Sequence, residues 1–190
     1  SFRIRMQPLE RARPIVSATT AGKALDQTLV HLASVSGYVR DAVFLDMVKT
    51  YSEEKLVQLA ILGLEHEDPL VAGAIAEALG TRKLATAVKV LESALGKQKS
   101  EEALSEICWA LGQIGSEASA KTLEKAADKF KKSFRVAGDA YLAWAACDPK
   151  GAQAHLSEGL DSKLAGVHIV CLTKMVEVSE DKALVAAAAD

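Results

Sequence analysis

Asp68-Pro69-Leu70-Val71-Ala72-Gly73-Ala74-Ile75-Ala76-Glu77-Ala78-Leu79-Gly80 reads as a single helix with its ends written into it. Asp68 is a side-chain acceptor at the N-cap position, and Pro69 stands at the first helical position, where a missing N–H costs nothing. Gly80 falls where the helix should stop.

The end of this stretch returns along the chain at a spacing of about 31 residues. Ala78-Leu79-Gly80 followed by Thr81–Leu95 aligns with Ala110-Leu111-Gly112 followed by Gln113–Ala127. Ala143-Trp144-Ala145 with Ala146–Leu160 continues the series downstream, and Met47-Val48-Lys49 with Thr50–Leu64 continues it upstream. Phe44, Ile75, Ile107 and Ala140 share one apolar slot, and Val48, Leu79, Leu111 and Trp144 share another. Ala60, Leu91, Leu123 and Leu156 share a third, while Leu64, Leu95, Ala127 and Leu160 close the unit. A fixed period in this range means stacked supersecondary units, none of which buries its apolar face alone.

The pattern predicts helix pairs. First helices are expected near 38–50, 69–80, 101–113, 133–146 and 162–177, and second helices near 53–65, 82–96, 117–130, 149–160 and 180–190. Ser52, Ser100, Ser116 and Ser179 each precede acidic residues, a favourable arrangement at a helix's positive end. Asp148-Pro149 repeats the Asp-Pro start, and Gly96 and Gly115 repeat the glycine stop. Val71-Ala72-Gly73, Val136-Ala137-Gly138 and Leu164-Ala165-Gly166 echo one another early in first helices, which predicts close backbone approach there. The fold expected is an all-α, right-handed α-α superhelix of about five helical hairpins. Its repeats lie near 37–66, 68–97, 100–132, 133–160 and 161–190.

Residues 1–19 form an extended leader or linker in this reading. Phe2, Ile4 and Met6 alternate with Arg3 and Arg5, and Pro8 and Pro14 oppose helix. From about Thr20, Leu25, Leu29, Leu32 and Ala33 outline an N-terminal cap helix that Gly37 ends. The solenoid domain then spans 20–190. The ends of the sequence are read as boundaries within a longer chain.

Composition agrees with this architecture. The 190 residues are 49% hydrophobic and 25% charged but only 5% aromatic, and the abundance of alanine favours closely packed helices. Net charge is −2 and the isoelectric point about 6.1, without the basic excess of a chain living on phosphate contacts. The longest apolar run, Ala140–Cys147, is far short of the roughly 18 residues of a membrane span. Cys108, Cys147 and Cys171 form no C-x-x-C pair and read as buried free thiols. With no leader signal visible, a cytoplasmic location is expected.

The stretch from Asp68 to Gly80 resembles a HEAT repeat, most closely the short form first noted in phycobilin lyases. Cys108-Trp109-Ala110-Leu111-Gly112-Gln113-Ile114-Gly115 resembles the same helix end. The resemblance covers about residues 37–190. It implies a protein-binding solenoid whose second helices line the concave side. The arginine that commonly follows the aliphatic residue in this family is replaced here by Ala72 and Ala137, which argues against the family's usual inter-repeat polar ladder.

Enzymes with similar repeats give specific tests. Deoxyhypusine hydroxylase resembles this pattern and holds two irons through His-Glu pairs in first helices. The equivalent slots here are Gly73-Ala74 and Ser105-Glu106, which lack that ligand set. His66-Glu67 ends a second helix, and His31, His155 and His168 show no metal-ligand spacing. DNA-alkylation-repair glycosylases need a basic groove and aromatics flanking an acid. Trp109 and Trp144 sit next to core slots and read as packing residues, while Glu106 and Asp139 read as solvated positions of adjacent repeats. No catalytic, cofactor or metal residue is assigned.

The surface feature that remains is a lysine stripe. Lys89, Lys121 and Lys125 occupy matching outward slots, followed by Lys129, Lys131 and Lys132, with Glu92 and Glu124 interleaved. Lys89, Lys121, Lys125 and Lys129 are the candidate partner-binding residues. The reading is a non-enzymatic scaffold for a protein partner. The alternatives are a bilin-lyase-like chromophore-handling protein and a nucleic-acid-binding solenoid using the lysine stripe.

Overall fold

A computed structural model describes residues 51–66 and 69–189. The expected leader, the cap helix, the first helix near 38–50 and the Asp68 cap lie outside the described residues. Among the described residues eight α-helices follow one another: α1 Glu53–Gly63, α2 Pro69–Thr81, α3 Val88–Lys97, α4 Glu101–Ile114, α5 Ala120–Lys129, α6 Phe134–Cys147, α7 Ala152–Leu160 and α8 Ala165–Ala189. Single 3-10 turns, Ala85–Ala87 and Glu117–Ser119, lead into α3 and α5. No strand occurs among the described residues.

The aligned apolar slots are the core. Ala60, Leu91, Leu123 and Leu156 are fully buried, as are Ile107, Ala140, Leu79 and Leu111. One continuous cluster runs from Leu56 through Cys147, and a second joins Ala137 and Ala145 to Ala152, Leu156, Val167 and Cys171. Hydrophobic burial therefore passes from each hairpin to the next, as stacked units require.

The helices form two unequal rows. α2, α4 and α6 pack along one another, and α8 continues the row, whereas α3 and α5 scarcely meet. The first helices α2, α4, α6 and α8 thus form the closely packed inner row, and the second helices α1, α3, α5 and α7 the outer row. Small residues make the inner approach possible. A Cβ on Gly80 would lie 2.8 Å from Ala110 Cα, and one on Gly112 would lie 2.8 Å from Ala143 Cα.

This changes the meaning of two glycine signals. Gly80 is a packing residue inside α2, and the left-handed position beyond the helix is held by Lys83 at φ 50°. The Leu84 N–H bonds Leu79 O at 3.1 Å and the Lys83 N–H bonds Gly80 O at 2.9 Å, a Schellman closure without its usual glycine. That turn delays the next helix to Val88 instead of 82. Gly115 ends α4 as expected, at φ 67°. The echoed glycines do not bring backbones together. Gly73 faces the Glu106 side chain, Gly138 the Val170 side chain and Gly166 the Phe134 ring.

Helix starts follow local chemistry. The Ser52 hydroxyl accepts from Lys55 N at 3.4 Å, and Pro69 opens α2. Ser100 precedes α4 without a side-chain cap bond, while Ser133, not singled out from sequence, caps α6 by accepting from Val136 N. Asp148-Pro149 makes a turn rather than a helix start. Asp148 accepts from the Gly151 N–H, and α7 begins at Ala152. The break expected before Ser179 is absent, because α8 runs unbroken through it to Ala189. No glycine or proline occurs after Gly166 to stop it.

Candidate interaction groove on the inner row

Glu102, Glu106, Trp109 and Gln113 fall on one stripe of α4 at spacings of four, three and four. Arg135, Asp139, Leu142 and Ala146 repeat that stripe on α6, 33 positions later. α8 stands alongside with Ile169, Val170 and Thr173. Together these helices line an open groove of about 440 Å³, whose walls include Trp109, Gln113, Asp139, Leu142, Ala146 and Ile169. Ile169 is 65% exposed, and Leu172 and Val176 are exposed further along α8.

Charged groups line and flank the groove: Lys174 and Glu177, paired at 2.8 Å, face it from α8, and a second set lies on α4 and α6 around Asp139. The Ser105 hydroxyl, itself buried, donates to the Asp139 carboxylate from the adjacent helix. Arg135 lies 3.6 Å from Glu102 and 4.0 Å from Glu106. Burial holds the Glu106 carboxyl above its ordinary range; Glu77, Asp139 and Glu102 add to the rise and Arg135 opposes it. Burial also raises Asp139, against the Ser105 hydrogen bond and Arg135. Glu106 and Asp139, expected on separate solvated faces, thus share one electrostatic environment. Trp109 both packs on Gly80 and opens onto the groove beside Asp139, so its role is wider than packing.

Polar cross-links tie successive units together, each at close to one repeat. Arg82 donates to Tyr51 O at 2.7 Å, Lys97 meets Glu65 at 2.6 Å, and Gln98 donates to Leu64 O at 3.1 Å. Ser133 donates to Glu101 at 2.8 Å, and Thr86 donates to Glu53. A ladder therefore exists without the family's arginine position. Sequence reasoning missed it because its members are ordinary surface types whose partners are a full unit away.

The lysines lie elsewhere. Lys121, Lys125 and Lys129 share a face of α5 by their spacing of four, and Lys89 stands on α3; all four are exposed on the outer row. Lys129 Nζ lies 4.8 Å from the Phe130 ring centroid. Among the described residues no ion pair joins these lysines to Glu92 or Glu124.

The histidines are dispersed. His155 stacks on Trp144 with ring centroids 3.9 Å apart and bonds Asp148 at 2.8 Å, fastening the α6–α7 turn. His168 bonds Ser162 O. Among the described residues no group of three potential metal ligands occurs. Cys108, Cys147 and Cys171 are buried free thiols, with Cys147 and Cys171 pushed up to about 11 by burial. No described helix is long and apolar enough to cross a membrane.

A search of curated proteins gave no match to the sequence. A family model of HEAT repeats matches residues 53–162, from the start of α1 to just beyond α7. With that match over more than half of its length and an α-solenoid built from the same helices, the chain belongs to the HEAT-repeat family.

Proposed function

We propose that this chain is a non-enzymatic scaffold that binds another protein along its inner row. The supporting observation is the groove across α4, α6 and α8, where Trp109, Leu142 and the exposed Ile169 offer apolar surface beside charged groups. Interfaces draw most of their affinity from a few apolar or aromatic anchors ringed by polar groups. HEAT repeats generally serve protein–protein interaction, which supports the same reading.

Electrostatics weigh against nucleic acid on this face. Phosphate binding needs cations, whereas Glu77, Glu102, Glu106 and Asp139 converge near the groove with Arg135 among them. The outer lysines Lys89, Lys121, Lys125 and Lys129 remain a separate candidate surface for an acidic partner. The short phycobilin-lyase-like subtype and its chromophore reading gain no specific support from the groove.

The test is site-specific photo-cross-linking in extract from the native cells, with a photoreactive residue at Gln113 on the inner row or at Lys125 on the outer row. A discrete protein adduct at Gln113 is expected. An adduct at Lys125 alone moves the interface to the lysine face. No adduct at either position removes the scaffold reading.

A further inference from the structure

We infer that the occupant of the inner groove is a basic amphipathic segment of the partner, carrying arginine or lysine onto Asp139 and Glu106 and an apolar side chain between Trp109, Leu142 and Ile169. The inference rests on the scaffold reading and adds the chemistry of what is bound.

Charge complementarity carries it. Four carboxylates converge on the stretch around Glu106, from three successive inner helices: Glu77 on α2, Glu102 and Glu106 on α4, and Asp139 on α6. Arg135 is shared between Glu102 and Glu106 at 3.6 and 4.0 Å, so one cation serves two anions. Asp139 is satisfied by the Ser105 hydroxyl, a neutral donor that leaves its charge in place. No ion pair to Asp139 occurs among the described residues. Asp139 also lines the groove, so this negative charge opens directly beside the apolar wall formed by Trp109 and Leu142.

Such a surface is selective. An acidic segment would add like charge to a site where carboxylates already oppose one another. A purely apolar segment would bury the Asp139 charge with no cation to offset it, which is costly. A segment with a guanidinium or ammonium next to an apolar side chain satisfies both parts of the groove. Opposite charge across an interface also speeds encounter and fixes register.

The probe is a pair of labelled 18-residue helical peptides with the same leucine stripe, one flanked by arginine and the other by glutamate. Anisotropy titrations at low salt are expected to give a Kd at least ~10-fold lower for the arginine peptide, consistent with electrostatic discrimination at interfaces. Asp139→Asn with Glu106→Gln should raise that Kd about 10-fold and flatten its salt dependence. Glu117→Gln with Glu124→Gln removes the same charge from the exposed outer row and should leave binding unchanged. Equal affinity for both peptides, or equal loss in the two double variants, overturns the inference. So does binding of neither peptide by a protein that still forms the Gln113 adduct, and that result leaves the scaffold reading standing. The comparison of the two peptides on the native sequence needs no variant to fold.

Discussion

Gly80 lies so close to Ala110 that a Cβ on the glycine would come within 2.8 Å of the Ala110 Cα and within 2.8 Å of the Trp109 ring. The contact joins α2 to α4 through backbone, and backbone cannot swing aside as a side chain does. Gly96, in α3, has nothing within 4 Å of the same hypothetical atom. The two glycines therefore predict opposite outcomes for one chemical change. Gly96→Ala should stabilise the fold by up to about 1 kcal/mol through helix propensity. Gly80→Ala should destabilise it by about 1–3 kcal/mol, because the overpacking outweighs that gain. Urea unfolding of the two variants measures both signs.

Lys83 occupies the left-handed region at φ 50°, where a Cβ is unfavourable. Its side chain is exposed to solvent, so its replacement by glycine removes no buried contact. Lys83→Gly should raise stability by roughly 0.5–1 kcal/mol, and Lys83→Val should lower it, since a β-branched residue tolerates this conformation least. Thermal melts of the pair at equal concentration give the comparison.

Ser133 and Ser100 both precede long inner helices, yet they are not equivalent. The buried Ser133 hydroxyl accepts from Val136 N and donates to Glu101 on the neighbouring helix. The Ser100 side chain makes no cap bond. Ser133→Ala should cost about 1–2 kcal/mol, and Ser100→Ala less than about 0.5 kcal/mol. A matched loss in both variants, read from chemical denaturation, would contradict this assignment of the cap.

The repeat was legible because its signal is redundant. Ile75, Ile107 and Ala140 recur at spacings of 32 and 33 residues, and each is buried in the structure. Helix ends were less legible because a glycine can serve two purposes. Gly115 closes a helix, while Gly80, expected to do the same, instead permits close packing. The groove was hidden for another reason. Glu106 and Asp139 are ordinary helical carboxylates until the 33-residue register sets α4 beside α6, and only that packing brings Asp139 beside Trp109. Which row packs more closely also depends on contacts between helices, a property no single helix's pattern contains.

Asp148 and Glu106 should give stability opposite dependences on acid. The His155 ring and the Gly151 N–H hold the Asp148 carboxyl below its ordinary range. The unfolded chain then takes up that proton first as pH falls. The Asp148 contribution is complete above the ordinary aspartate value of about 3.9 and is lost as pH drops through the lower folded value. Glu106 is raised by burial and by Glu77, so the native state binds its proton more tightly than the unfolded chain does. Its penalty is present at neutral pH and fades as pH falls through the raised value, ending below the ordinary glutamate value of about 4.3. Glu106→Gln should therefore be more stable than the native sequence at pH 7 and equal to it near pH 3.5. Asp148→Asn should be less stable at pH 7, with a shallower fall in acid. Urea midpoints collected from pH 3 to pH 8 separate the two, and a Glu106→Gln curve parallel to the native one throughout would place the carboxyl outside the acidic cluster.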